Sequence, residues 1–504
     1  MRVLVYNWVD YRDDEKRGGG VTVYLRNLME TLGARGDVDA TFLSSGVSYD
    51  PLRRAPRWEP IAHGPHEDRG MRYEIVNSGT LAPSHMSFGN PAQLTHPPTR
   101  DVFLDFVAAT GPYDVIHFHN LEGLPADVLS LKREWPRTKI LLSLHNYYPV
   151  CPQVNLWHRE AENCVDFDAG HKCTVCLPVK PDERLVRAAN GLAYMLKRRG
   201  LRPGTRAFDL GFRGAMGVGR RAVKAIGRMR LARNAPPRSG ETPAAACRSA
   251  EEFAKRRAEM VTLINAHCDG ILCVSDRVAE VAARYGIAPE LLRTLYIGTR
   301  QADRFERTEP RGALPRADGT LHLGYLGYMR RDKGFFFLLD ALEAMPAEMA
   351  ARIRLTVAAR GAAADVARLS RLAPRLAQLV HLDGYGHDNL DAILSDVDVG
   401  LVPVQWEDNL PQVAIEMHAR HIPLLTSDLG GAQELGNTPS MVFRAGDAAS
   451  FAARIAALLE GGIDIDAYWR NAMAPVGMEA HLQELLALYR APDHRGDDVS
   501  RGAA

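Results

Sequence analysis

Short apolar runs closing on Gly, Asn or Ser alternate along most of the chain with longer stretches whose apolar positions recur at helical spacing, the pattern of strands feeding helices. Arg2 to Tyr6 reads as a first buried strand, and Gly18-Gly19-Gly20 leads from it into a helical stretch, Val21 to Leu32. Asp114 to Asn120 and Lys139 to Asn146 are further strands, both ending in His-Asn. A helix from Ser249 to Ala266, a strand from Gly270 to Val274, a helix from Val278 to Tyr285 capped by Ser275, and a strand from Leu292 to Ile297 follow. Between Asp303 and Gly319 the chain turns charged, with Pro310 and Pro315. The rhythm then resumes with strands near Leu321 to Leu326, Ile353 to Ala358, Val380 to Leu382, Val399 to Val404, Pro423 to Thr426 and Met441 to Phe443. This alternation predicts an α/β protein of two domains, each a parallel sheet with helices on both faces. The expected division is 1–303 and 304–477, with 478–491 a helix packing back on the first domain and 492–504 a disordered tail.

Composition narrows the function classes. Lys and Arg number 62 against 61 Asp and Glu, a net charge of +1, so no global field points to nucleic acid. The N-terminus reaches Asp10 without the apolar core of a secretory signal, and no run is long enough to span a bilayer, so a cytoplasmic location is the expectation. Residues 180–238 depart from the balance: Lys197, Arg198, Arg199, Arg220, Arg221, Lys224, Arg228, Arg230 and Arg233 accumulate with few carboxylates. One reading of this Lys180 to Arg238 insertion is basic amphipathic helices docking on an anionic membrane at the inner face of the plasma membrane; the other is a solvated helical linker. Cys151, Cys164, Cys173 and Cys176 cluster in a loop over 151–176. Four thiolates could close a structural zinc site, and the alternative is reduced cysteines packing a long loop.

Ligands of parallel α/β units gather at the carboxyl ends of the strands, which selects the candidate chemistry. The N–H groups of Gly19 and Gly20 open a helix whose N-terminus favours a phosphate, although such a turn is also common without function. The loop Gly327-Tyr328-Met329-Arg330-Arg331-Asp332-Lys333-Gly334 sets three cations beside another helix start, which suits a diphosphate. Trp406-Glu407-Asp408-Asn409-Leu410-Pro411 and the following Glu416 place carboxyl groups at either end of a turn entering a helix. His145 terminates a strand at the same edge. His117 and His119 share one strand face, where hydrogen-bonded histidines are favoured over a metal pair. Asp166-x-Asp168 and Asp396-x-Asp398 are discounted as metal motifs, since Asp398 runs into a strand and caps its amino end.

Asp408-x7-Glu416, then Pro423, Ser427, Asp428, Gly430 and Gly431, with Gly19-Gly20 and Lys333-Gly334 in order before them, resembles a family 4 nucleotide-sugar glycosyltransferase. The resemblance implies a GT-B fold of two facing Rossmann-like domains and a retaining transfer to a lipid-linked or polysaccharide acceptor, with no cofactor or active-site metal required. It is similar, through the cysteine loop, to bacterial members that build surface polysaccharide. The donor, a UDP- or GDP-sugar, would be held by Gly19, Gly20, Arg330, Arg331, Lys333, Asn409, Leu410 and Glu416. Glu416 would clamp the ribose, Lys333 would face the diphosphate, and Asp408, or Glu407 as its stand-in, would face the sugar beside His145. Three positions depart from the pattern: Tyr328 where an Arg is usual, Asp408 in place of Glu, and Ile297-Gly298 in place of Asn-Gly. A nucleotide-sugar epimerase, or a nucleotide-sugar-binding protein without turnover, stays open beside the transferase.

Overall fold

The computed structural model describes residues 1–13, 15, 17–63, 68, 70–177, 181–214, 248–310 and 312–492. Lys180, the part of the basic insertion over 215–238 and the tail over 493–504 lie outside the described residues.

The first sheet has eight strands: β1 (Arg2–Tyr6), β2 (Asp39–Ser48), β3 (Arg57–Pro60), β4 (Arg72–Val76), β5 (Val115–Phe118), β6 (Lys139–Leu144), β9 (Gly270–Cys273) and β10 (Leu292–Thr294). A two-stranded ribbon, β7 (Trp157–His158) with β8 (Glu162–Asn163), lies between β6 and β9 in the chain. The second sheet has six strands: β11 (Leu321–Tyr328), β12 (Ile353–Arg360), β13 (Gln378–Leu382), β14 (Val399–Val402), β15 (Leu424–Ser427) and β16 (Val442–Phe443). Their orders are β10-β9-β6-β5-β1-β2-β4-β3 and β13-β12-β11-β14-β15-β16. The second sheet is parallel throughout. The first is parallel as well, except that β3 pairs antiparallel at its edge.

The central strands are the apolar runs, because a parallel strand covered on both faces by helices has no face left for water. Val3, Leu4, Val5 and Tyr6 of β1 are all fully buried, as are Ile116 and Phe118 of β5 and Ile140 of β6. One continuous apolar core joins the first sheet to the near face of the second through Leu326, Val402, Val404, Leu410 and Ala414, and a second core fills the far side of the second sheet around Phe335, Leu338 and Phe451.

Strand order fixes where a ligand can sit. Each sheet begins at an inner strand, β1 or β11, builds outward on one side, and returns to the other side at β5 or β14. The connections after β1 and β5, and those after β11 and β14, therefore leave in opposite directions and open a crevice at the carboxyl edge. The Gly18-Gly19-Gly20 turn, the 327–334 loop and the 405–411 loop lie in three of these four connections.

Helix Met478–Arg490 packs against helix Gly19–Gly33 of the first domain. The Tyr24 hydroxyl meets His481 Nε2 at 2.8 Å, the Tyr489 hydroxyl meets His117 Nδ1 at 2.8 Å, and Lys139 Nζ donates to the Leu488 and Tyr489 carbonyls at 3.0 and 3.1 Å. Helix Glu183–Arg198, the described start of the basic insertion, also lies on the first domain. Arg187 donates to the Ser78 and Gly79 carbonyls at 2.9 and 2.8 Å, Lys197 pairs with Glu15, and Arg198 donates to the Tyr194 hydroxyl at 3.0 Å. Those cations are directed at the protein rather than at a membrane. Among the described residues, no helix is long and apolar enough to cross a bilayer.

Candidate active site

The 327–334 loop turns back sharply to start helix Phe335–Ala344. Gly334 adopts φ +73°, and a Cβ there would run into the Pro403 carbonyl, so only glycine lets the loop pass beneath the end of β14. This close pass delivers Lys333 to the acidic loop: Lys333 Nζ lies 2.5 Å from Asp408 Oδ2 and 5.3 Å from the centre of the Trp406 ring. Asp408 is buried. Its carbonyl accepts the Gly431 N–H at 2.9 Å, and Gly430, at φ +74°, leaves no room for a Cβ against Asp408. The Gly430-Gly431 pair thus holds the acidic loop against β15 through the backbone.

The other cations of the loop are placed differently. Arg330 pairs with Asp332 at 2.8 Å and is mostly exposed, and Arg331 is exposed on the same turn. Gly20 opens helix Gly19–Gly33, where a Cβ would come within 3.0 Å of Gln412 Cγ, at the start of helix Gln412–His418. The starts of two helices, one from each domain, therefore meet where the acidic loop ends.

Glu416 sits on helix Gln412–His418 and is buried. Its Oε2 accepts the Tyr385 hydroxyl at 2.8 Å, and its Oε1 lies 3.7 Å from His387 Nδ1. Burial pushes its carboxyl up from the usual range, and the Tyr385 hydrogen bond works against that. Tyr385 and His387 follow β13 in Gly384-Tyr385-Gly386-His387, a glycine-bracketed loop of the kind that singled out 327–334.

Glu407, the expected stand-in for Asp408, faces elsewhere. Its carboxylate is forked by Arg277, Oε1 with Nη2 at 2.5 Å and Oε2 with Nε at 2.9 Å, and it also accepts the Gly430 N–H at 3.1 Å and Asn163 Nδ2 at 3.4 Å. That pairing raises the Arg277 guanidinium still further above its ordinary value. Asn409 crosses to the first domain: its carbonyl accepts the Ser275 hydroxyl at 2.8 Å and its Nδ2 lies 3.4 Å from the Leu144 carbonyl, one residue before His145. Leu410 is buried in the shared core. Arg277 was not anticipated from sequence, although an arginine in the first turn of helix Asp276–Arg284 is unfavourable to the helix dipole and so signals an outside partner.

His145 directly follows β6 and is half-buried. Its Nε2 meets His119 Nδ1 at 3.0 Å, and the rings stack at 5.3 Å. Burial, and then His481, hold the His145 imidazole down to about 3. His117 has no vacant ligand position, because its ring nitrogens meet the Tyr489 and Ser143 hydroxyls, each at 2.8 Å. Asp398 is taken by Arg316 at 2.7 Å.

Of the two readings of the four cysteines, zinc site or reduced thiols packing a loop, the structure shows thiols that are not grouped as metal ligands. Cys176 Sγ donates to Gln153 Oε1 at 2.8 Å, Cys164 Sγ contacts the Asp166 carbonyl at 3.6 Å, and burial pushes the Cys173 and Cys176 thiols up to about 12. Among the described residues no three His, Cys, Asp or Glu side chains are grouped to hold a metal. The loop instead reaches the second domain through Asn163 to Glu407, and is held to the end of helix Asp276–Arg284 in its own domain through the Cys164 carbonyl, which accepts the Tyr285 hydroxyl at 2.8 Å.

Residues 320–461 match the family described as Glycosyl transferases group 1. That stretch contains Lys333, Tyr385, Glu407, Asp408, Glu416 and the Gly430-Gly431 turn. No curated protein matches the chain. Solved structures with the same fold include a sucrose-phosphate synthase from Thermosynechococcus elongatus, at 16% identity over 97% of this chain and 98% of that one, TM-score 0.53. Alr3699/HepE from Anabaena, in complex with UDP, aligns at 13% identity over 97% and 99%, TM-score 0.54. The N-terminal domain of a Candida albicans trehalose-6-phosphate phosphatase aligns at 11% over 97% and 96%, TM-score 0.54. Around the group 1 stretch, the whole chain thus has the GT-B arrangement of two facing α/β domains.

Proposed function

We propose that this chain is a retaining glycosyltransferase that moves a sugar from a nucleoside diphosphate to a lipid-linked or polysaccharide acceptor. The observation that carries the reading is the Lys333–Asp408 pair at 2.5 Å, in the group 1 stretch and on the loop that leads into helix Gln412–His418. A cation and a carboxylate side by side match the two needs of the reaction, negative charge growing on the leaving diphosphate and positive character growing at the sugar carbon. Lys333 and the Gly19 and Gly20 N–H groups would hold the diphosphate, with Arg330 and Arg331 at its outer side. Asp408 would face the sugar, and Glu416 would take the ribose hydroxyls.

In the transfer, the acceptor oxygen forms a bond to the anomeric carbon on the face from which the diphosphate departs. The carbon–oxygen bond to the diphosphate breaks, and the acceptor's proton passes to the leaving phosphate oxygen. The products are a glycoside and the nucleoside diphosphate. Glu407 takes no part in this scheme, because its carboxylate is fully engaged by Arg277.

UDP-sugars are the first donors to try, since Alr3699/HepE holds UDP in the same fold. Thermal denaturation with UDP-, GDP- and ADP-sugars should give a concentration-dependent rise for one nucleotide class, because a ligand that binds only the folded state stabilises it by mass action. Lys333→Ala combined with Glu416→Ala should abolish the rise. A rise that survives in the double variant, or no rise with any donor, overturns the donor site.

A further inference from the structure

The histidines behind the cleft form a tier whose protonation is constrained by partners. His481 Nδ1 meets the Tyr296 carbonyl at 2.8 Å; a carbonyl only accepts, so His481 carries its proton on Nδ1 and takes the Tyr24 hydroxyl on Nε2 at 2.8 Å. His117 is satisfied at both nitrogens by hydroxyls. His119 differs: it is fully buried, its Nδ1 meets His145 Nε2 at 3.0 Å, and its Nε2 is buried with no hydrogen-bond partner.

Burial keeps both His119 and His145 neutral at ordinary pH. Two neutral imidazoles 3.0 Å apart share one hydrogen bond, so one ring donates and the other accepts. If His145 donated from Nε2, neutral His119 would carry its own proton on Nε2, leaving an N–H buried without an acceptor. Orphaned buried N–H groups are rarer than under-used acceptors. The reverse assignment leaves a bare lone pair there instead.

We propose that His119 is a positioning residue that fixes His145 in the tautomer carrying its proton on Nδ1, so that the cleft is offered an N–H donor. His145 Nδ1 has no partner among the described residues and is not a buried unpaired atom, so it reaches the surface, and His145 follows Leu144, whose carbonyl accepts from Asn409 Nδ2 of the acidic loop at 3.4 Å. In this state His145 donates to an oxygen of the bound sugar and cannot take a proton from the acceptor at that atom. Only this last step rests on the glycosyltransferase reading; the tautomer is a property of the protein alone.

Long-range proton–nitrogen NMR of histidine-labelled protein reads the tautomer directly, with the His145 signals among the 17 histidines identified by difference against His145→Gln. The expected wild-type pattern is a protonated Nδ1 and a bare Nε2 at His145; a protonated Nε2 overturns the proposal whatever the activity. His119→Asn keeps an N–H donor near Nδ1, whereas His119→Phe removes it. His119→Asn should keep the wild-type pattern and lie within about threefold of wild-type kcat/KM for the donor, and His119→Phe should lose about tenfold with mixed tautomers at His145. Equal losses in the two variants with an unchanged His145 pattern overturn the positioning role. If no donor is turned over by any form while the Nδ1 pattern holds, the functional reading fails and the tautomer assignment stands.

Discussion

At the residue scale, Glu416 is the clearest case of a side chain kept in a costly state. Its carboxyl is buried and pushed up, and it accepts the Tyr385 hydroxyl at 2.8 Å. The sign follows from linkage: the folded form binds the proton more tightly than the unfolded chain, so this group favours the fold below its unfolded pKa and loses that contribution as pH rises through the raised value. At neutral pH the charged form is therefore a burden on the empty protein, and Glu416→Gln, whose amide oxygen can still accept from Tyr385, should raise stability by about 1 kcal/mol. The same change should weaken donor binding by tenfold or more, since a neutral amide is a poorer partner for two ribose hydroxyls. Urea denaturation at pH 7 and titration with the nucleotide identified by thermal shift check the two halves separately. Glu416 was legible in the sequence through its spacing from Asp408; Tyr385 was not, because the residue that meets it lies on a different strand connection.

At the element scale, the turn into helix Phe335–Ala344 depends on one residue. Gly334→Ala would set a Cβ against the Pro403 carbonyl and hold it at φ +73°, so the loop must shift. The expected cost is about 3 kcal/mol or more, with Lys333 displaced from Asp408. Denaturant unfolding measures the first, and loss of the donor-dependent thermal shift measures the second. The C-terminal helix Met478–Arg490 carries a second prediction. His117 and His481 are buried and held down to about 3 and about 4, with burial the main cause. Their unfolded value is near 6.5, so the unfolded chain binds more protons below that pH, and stability present above it is lost as pH falls towards the folded values. Each contributes up to about 2 kcal/mol of loss between pH 7 and pH 5. Unfolding midpoints at the two pH values should differ less in His481→Gln than in the wild type.

On the scale of the whole molecule, the two domains are joined next to the site by polar groups that each leave one domain and end on the other. Arg277 forks Glu407, Glu434 accepts the Asp276 and Arg277 N–H groups at 2.9 and 2.8 Å and the Tyr296 hydroxyl at 2.7 Å, and Ser275 donates to Asn409. Arg277→Ala leaves Glu407 buried without its main partner. Breaking a buried pair costs about 3–5 kcal/mol, and the partial exposure of Arg277 reduces the expectation to about 2 kcal/mol. Adding Glu407→Gln should recover most of the loss, which a double-mutant cycle on unfolding free energy will show.

The sequence by itself determined the strand and helix rhythm and the two-sheet α/β class, because these follow from local periodicity and from glycines whose conformation is set within a few residues. β1 and β6 lie where their apolar runs place them, whereas the serine-rich β2 and the short β3 and β4 carried no such run and were not foreseen. Only the tertiary structure decided which carboxylate meets Lys333. Glu407 and Asp408 are neighbours in the chain, yet one is bound to Arg277 of the first domain and the other to Lys333 of the second. The same holds for His119 and His145, 26 residues apart and in hydrogen-bond contact. Such pairings depend on how two strand connections and two domains are brought together, and spacing along one chain does not encode that geometry.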